Sequence, residues 1–194
     1  MSPTRSRAAI SSAPPKPTAS DLAAARDKRL RDVIAPGLRV LFCGINPGLY
    51  SAATGNHFAR PGNRFWPALH AAGFTTRRLS PWEKELALQQ GFGLTNLVPR
   101  ATASAAELAP AEFVAGRKRL AAKIRRYRPR IVAFLGMGAY RHAFATPKAA
   151  LGEQAERFEG ARVWVLPSPS GLNANYQMGE LVALLRELKN EADK

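Results

Sequence analysis

The chain predicts an α/β layered domain with a mainly parallel sheet. Short apolar runs recur at 38–44, 93–98, 131–135 and 162–166, each fit for a buried strand. Stretches with helical apolar spacing alternate with them. The first and last strands also run out into long polar loops, and in a parallel sheet such loops share the carboxyl edge.

Residues 1–19 are rich in proline, serine and alanine, with Arg5, Arg7 and Lys16 and no acid. Such a composition cannot build a core and reads as a disordered basic tail. A single domain is expected over 20–194. Ser20 is expected to cap a helix through Leu22, Leu30 and Ile34, stopped by Pro36-Gly37. Strand one follows at 38–44. Asn63 to Ala72 reads as a helix with Phe65, Trp66 and Leu69 on one face and Gly73 past its end. Pro81 opens a short helix to Gln90, and GLTNLV at 93–98 fits the second strand. Residues 111–127 form an amphipathic helix burying Phe113, Leu120, Ile124 and Tyr127. Strand three is 131–135, ended by Gly136 and followed by a short helix around Ala139–Phe144. RVWVL at 162–166 is the fourth strand, and Gln177 to Lys189 the closing helix. No internal repeat is present.

At 194 residues the chain supports one domain with a full core. No apolar run approaches the ~20 residues of a membrane span, and the N-terminus has no secretory h-region. The one cysteine, Cys43, excludes an internal disulfide and any multi-cysteine metal site, and its strand position marks it as a small buried residue. Cytoplasm is the expected compartment, nucleoid-associated if the source is bacterial. A net charge of +15 favours polyanionic partners.

The segment from Gly44 to Trp66, GINPGLYSAATGNHFARPGNRFW, is the most informative. It leaves the first strand as a polar, glycine-rich loop, longer than the about 2–6 residues of an ordinary strand-to-helix turn. Such a loop on a rigid strand end is a place for binding. Asn46 has no useful acid–base range, but its amide can orient a water, and backbone amides beside Pro47 and Gly48 can face a polar ligand. Read alone, GINPG is equally an Asn-Pro-Gly turn. Phe58 can stack on a planar ligand or anchor the loop to the core.

The second candidate is LPSPSGLN at 166–173, directly after the last strand. Ser168, Ser170 and Gly171 suit close approach to phosphates, and Leu172 at a polar loop tip suits an apolar wedge between bases. The bland reading is a proline-stiffened connection with its leucine folded inward. His57, His70 and His142 show no metal-ligand spacing. Gly136-Met137-Gly138 lacks the continuation of a phosphate loop. Arg117 to Arg130 holds eight basic residues and no acid, read first as the exposed face of a helix. No Gly-x-Ser-x-Gly nucleophile elbow occurs.

Together GINPG at 44–48, TGNHFARPGNRFW at 54–66 and LPSPSGLN at 166–173 resemble the mismatch-specific uracil/thymine-DNA glycosylases, a branch of the uracil-DNA glycosylase superfamily. GLTNLV and YRPRIVAFLG at 127–136 also fit, and the similarity spans about residues 36–190. The resemblance implies a three-layer α/β/α sandwich, a monomer without metal or organic cofactor. It implies hydrolysis of the N-glycosidic bond of uracil, or a related pyrimidine, flipped out of double-stranded DNA where it faces guanine. Asn46 then positions the attacking water, with Thr102 helping to hold it. Backbone amides of Ile45 and Phe58 read the base edge, the Phe58 ring stacks on the base, and Asn96 adds an edge contact. Ser51 sits beside the pyrimidine 5-position. Gly171 and Leu172 form the wedge, with Ser168, Ser170 and Asn173 gripping DNA. Faster relatives carry aspartate where this chain has Asn46 and histidine where it has Leu166. An acid common before Arg100 in the family is Pro99 here, and Asn173-Ala174 departs from the family's usual wedge residues.

Two other readings stay open. A catalytically weak mismatch or lesion binder accounts for the missing carboxylate. A small nucleotide-binding α/β protein accounts only for the fold class and the glycine-rich loop.

Overall fold

Four of the apolar runs become parallel strands because each is buried on both faces, as helices on either side of a sheet require. The computed structural model describes residues 13–194. Its strands are β1 (Val40–Gly44), β2 (Phe92–Asn96), β3 (Ile131–Leu135), β4 (Gly152–Phe158) and β5 (Ala161–Leu166). They form one sheet in the order β2-β1-β3-β5-β4, parallel except for β4, which pairs antiparallel with β5.

Successive side chains along a strand face opposite ways, and the core divides accordingly. Val40, Phe42, Leu94, Ala133 and Trp164 face a layer made by α3 (Phe65–Ala71), α4 (Leu86–Gln89) and α7 (Met178–Asp193). Leu41, Cys43, Val132, Phe134 and Val163 face α5 (Pro110–Tyr127) and α6 (Met137–Phe144). The result is the expected α/β/α sandwich. Phe42 meets the rings of Phe65, Phe74 and Phe92 edge-on at centroid distances of 5.3, 5.5 and 5.8 Å. Truncating so buried a ring costs about 3–5 kcal/mol. Cys43 lies within the other core half, where burial pushes its thiol up to about 12, so it is a packing residue.

The register sets the functional edge. Gly44 pairs with both Asn96 and Leu135, and Leu135 with Leu166, so four strands end in one row. β1 has β2 on one side and β3 on the other, the switch point where α/β sheets open a crevice at their carboxyl ends.

Three expectations are corrected. The helix expected over 20–34 is only α1 (Ala19–Ala24), capped by Thr18 rather than Ser20. It buries none of its residues, and the chain turns at Asp27 with φ +62°. The segment after it runs antiparallel along β2, where Val33 exchanges both backbone hydrogen bonds with Leu94 at 2.9 and 2.7 Å. That pairing covers an otherwise open sheet edge, a gain that outweighs the helical spacing of Leu22, Leu30 and Ile34. The opening loop contains a helix, α2 (Leu49–Thr54), begun at Gly48 and closed by Gly55 in the left-handed region. And β4 was not expected: its sequence GEQAERF is mostly exposed, so it carries no apolar signal. Of the expected basic tail, residues 1–12 lie outside the described residues, while 13–18 lead without regular structure into α1. No helix among the described residues is long and apolar enough to cross a membrane.

Candidate active site

At the switch point lies a cleft of about 320 Å³, walled by the loops after β1, β2 and β5. It gathers Ile45, Asn46, Ser51, Phe58, Asn96, Thr102, Ser168, Ser170, Leu172 and Asn173. Gly171, the remaining sequence-predicted site residue, lies beside the cleft rather than in its lining. The described lining contains no Asp or Glu, and its one charged side chain is Arg60.

Asn46 ends the turn that follows β1. Its Nδ2 donates to the carbonyl of Arg100 at 3.0 Å and to Thr102 Oγ1 at 2.7 Å. A backbone carbonyl only accepts, so the nitrogen must face Arg100 and the amide orientation is fixed. Thr102, buried, passes its own proton to the carbonyl of Ser104 at 2.8 Å. Both amide hydrogens are thereby spent within the protein. Oδ1 remains as an acceptor with no hydrogen bond from the described residues. The backbone supports this arrangement: the amides of Leu97, Val98 and Thr102 donate to the carbonyls of Gly44, Ile45 and Pro47.

The cleft floor is built around Gly44. A Cβ there would lie 2.7 Å from Asn96 Oδ1 and 3.4 Å from the Phe58 ring. Glycine therefore lets an amide and an aromatic face converge at the strand end. Phe58 stacks on Phe65 with centroids 4.0 Å apart and planes at 28°, and takes a left-handed backbone with φ +54°. It anchors the loop to the core and also lines the cleft. Ser51, on α2, accepts the Ala59 amide at its Oγ at 3.1 Å, locking the chain just after Phe58. The amides of Ile45 and Phe58, two residues of the cleft lining, donate to no group among the described residues.

His57 backs this wall in a neutral state. Burial pushes its imidazole down to about 4, despite a 2.9 Å hydrogen bond from Nε2 to the Arg31 carbonyl. The Trp66 indole donates to the carbonyl of His57 at 3.0 Å. Its role is to hold the loop.

The loop after β5 is knit by its own polar groups. Asn173 Nδ2 donates to the Ser168 carbonyl at 3.0 Å, and Ser170 Oγ accepts the Leu172 amide at 3.3 Å. Leu172 is 73% exposed, far beyond what packing would leave of a leucine. The inward-folded reading of this residue is thus ruled out. Gly171 abuts the opposite loop: a Cβ would stand 2.6 Å from the Gly62 carbonyl oxygen. Arg64 holds the two loops together, donating to the carbonyls of Ser170 and Asn173 at 2.9 and 3.0 Å and also to that of Tyr176. Sequence reasoning assigned nothing to Arg64; its partners are carbonyls more than a hundred residues away, invisible to spacing.

The rest of the basic run is partly committed elsewhere. Lys123 pairs with Asp32 at 2.6 Å, Arg125 with Glu159 at 2.9 Å, and Arg117 lies over the rings of Phe144 and Phe158. Among the described residues no group of three or more His, Cys, Asp or Glu comes together as a metal site.

The family model described as the Uracil DNA glycosylase superfamily matches residues 31–191. The chain belongs to this superfamily. Among solved structures it is similar to the solution structure of a "putative Uracil DNA glycosylase" from Methanosarcina acetivorans. The two are 21% identical, superpose with a TM-score of 0.57, and the match covers 84% of this chain and 98% of that one. At that identity the likeness bears on the fold alone, and it agrees with the sandwich. Superfamily membership supports a DNA glycosylase, and the matched residues take in every wall of the cleft described above.

Proposed function

We propose that the protein is a monofunctional DNA glycosylase of the mismatch-specific branch. It hydrolyses the N-glycosidic bond of uracil, or a related pyrimidine, paired with guanine in double-stranded DNA and flipped into the cleft. The observation that carries this reading is the Asn46 amide, fixed by Arg100 and Thr102 with Oδ1 left over. Oδ1 accepts a hydrogen bond from a water and aims its oxygen at the sugar C1′. The C1′–N bond breaks as the C1′–O bond forms, and the bonding pair leaves with the base. The water's proton passes to solvent, and the departing base takes one up. The amides of Ile45 and Phe58 and the side chain of Asn96 meet the base oxygens where negative charge grows. Phe58 stacks on the ring. Leu172 enters the vacated stack, while Ser168, Ser170, Gly171 and Asn173 hold the backbone beside it.

A cleft lined by no carboxylate supports the mismatch branch over faster relatives that use aspartate. With modest catalytic power, selection rests on how readily a base unstacks, and that costs least in a mismatch. Ser51, tied to Ala59, stands by the 5-position, where its size governs whether a methyl is tolerated. The protein is proposed to act as a monomer on DNA, without a metal or organic cofactor. Uracil release from G·U, G·T and A·U duplexes, scored by alkaline cleavage of abasic sites, tests this reading. G·U is expected to be processed fastest, and no cleavage of any uracil duplex at stoichiometric protein would refute it.

A further inference from the structure

The carbonyl that takes one Asn46 hydrogen belongs to Arg100, whose own side chain is gripped from three directions. Its Nε and Nη2 form a two-pronged pair with Glu112 at 2.6 and 3.0 Å. Nη1 reaches Asp27 at 3.2 Å, and Nη2 also donates to the Glu107 carbonyl at 3.0 Å. Glu112 lies in the first turn of α5 and accepts the Ala109 amide at 2.9 Å, so its carboxylate is itself held by the helix start. The Arg100 guanidinium, then the Ala109 amide, push the Glu112 carboxyl down to about 2. The carboxylate is thus held in its charged form well below the usual carboxylate range.

We propose that the Arg100–Glu112 pair is a positioning device for the water-holding asparagine, with α5 as its rigid support. A planar two-pronged pair fixes direction as well as distance. Anchoring the guanidinium to an 18-residue helix keeps the Arg100 backbone from turning its carbonyl away from Asn46. Pro99, whose ring fixes its own φ, stiffens the approach from the other side. Neither Arg100 nor Glu112 lines the cleft, so both act through Asn46.

The inference rests on the glycosylase reading for its meaning, and its test separates the two. Glu112→Gln keeps an acceptor for the Ala109 amide but removes the charged grip; Arg100→Gln removes the other half. Exchange of the Asn46 Nδ2 protons, with the signal assigned by its loss in Asn46→Ala, is followed by NMR below the unfolding range of each variant. Both variants are expected to speed this exchange about tenfold or more, while the Asn96 amide is unchanged. Their single-turnover excision from a G·U duplex is expected to fall about 10–100-fold with duplex affinity held. In the Asn46→Ala background Glu112→Gln is expected to have no further effect. Unchanged Asn46 exchange in both variants overturns the proposal whatever the activity, as does an equal rate loss in the Asn46→Ala background. Raised exchange in a protein whose wild type excises nothing upholds the positioning role and refutes the glycosylase reading alone.

Discussion

Asn46 and Thr102 are joined by a 2.7 Å hydrogen bond whose direction is set by the rest of a chain, because the threonine proton is already given to Ser104. Thr102→Val keeps the shape and removes the acceptor, leaving one Asn46 hydrogen unpaired and the amide held by the Arg100 carbonyl alone. Single-turnover uracil excision is expected to fall about 10–100-fold, while Thr102→Ser recovers most of it. Equal rates for the valine and serine variants would show that packing, not the hydrogen bond, matters.

Leu172 is exposed, and its neighbour Gly171 abuts Gly62 of the opposite loop. Leu172→Ala is expected to lower the fluorescence rise of a 2-aminopurine placed beside a G·U pair, the signature of lost unstacking. Gly171→Ala is expected to do the same by parting the loops. The leucine is exposed and packs little, so protein stability is expected to move by less than about 0.5 kcal/mol.

Arg60 brings the only full charge to the described cleft lining. As a phosphate contact, its loss in Arg60→Gln is expected to flatten the salt dependence of duplex binding by about one counterion. G·U and fully paired duplexes are expected to weaken alike. A loss confined to G·U would make it a base contact instead.

His57 gives a pH dependence of stability. Its folded pKa, about 4, lies below the ordinary 6.5, so between those values the unfolded chain binds more protons. Stability is therefore full above pH 6.5 and declines as pH falls toward 4, by up to about 3 kcal/mol. His57→Gln is expected to show a shallower fall of Tm with acid over the same range, since glutamine can still donate to Arg31 but does not titrate.

The legible parts of the fold are those whose signal is local. Ile131–Leu135 is a continuous apolar run and sits in the structure with the bounds its sequence suggests. Phe113, Leu120 and Ile124 share a buried face because their spacing is helical. Asn46, Phe58 and Leu172 were legible as oddities, a rigid turn and two apolar groups in polar loops, and the cleft does bring them together. What was hidden is long-range. Val33, inside the stretch expected as helix, instead pairs with Leu94 across 61 residues. The polar edge strand β4 has no pattern of its own. Arg64 and Arg100 work through carbonyls and carboxylates that only the folded chain places nearby.

In the proposed reaction a neutral asparagine, Asn46, positions the water. The most direct measurement of that role is single-turnover release of uracil from a G·U duplex by wild type and Asn46→Ala at equal, saturating protein. Wild type is expected to produce abasic sites and the variant to be slower by about 100-fold or more with duplex binding retained. Equal rates for the two proteins would contradict it.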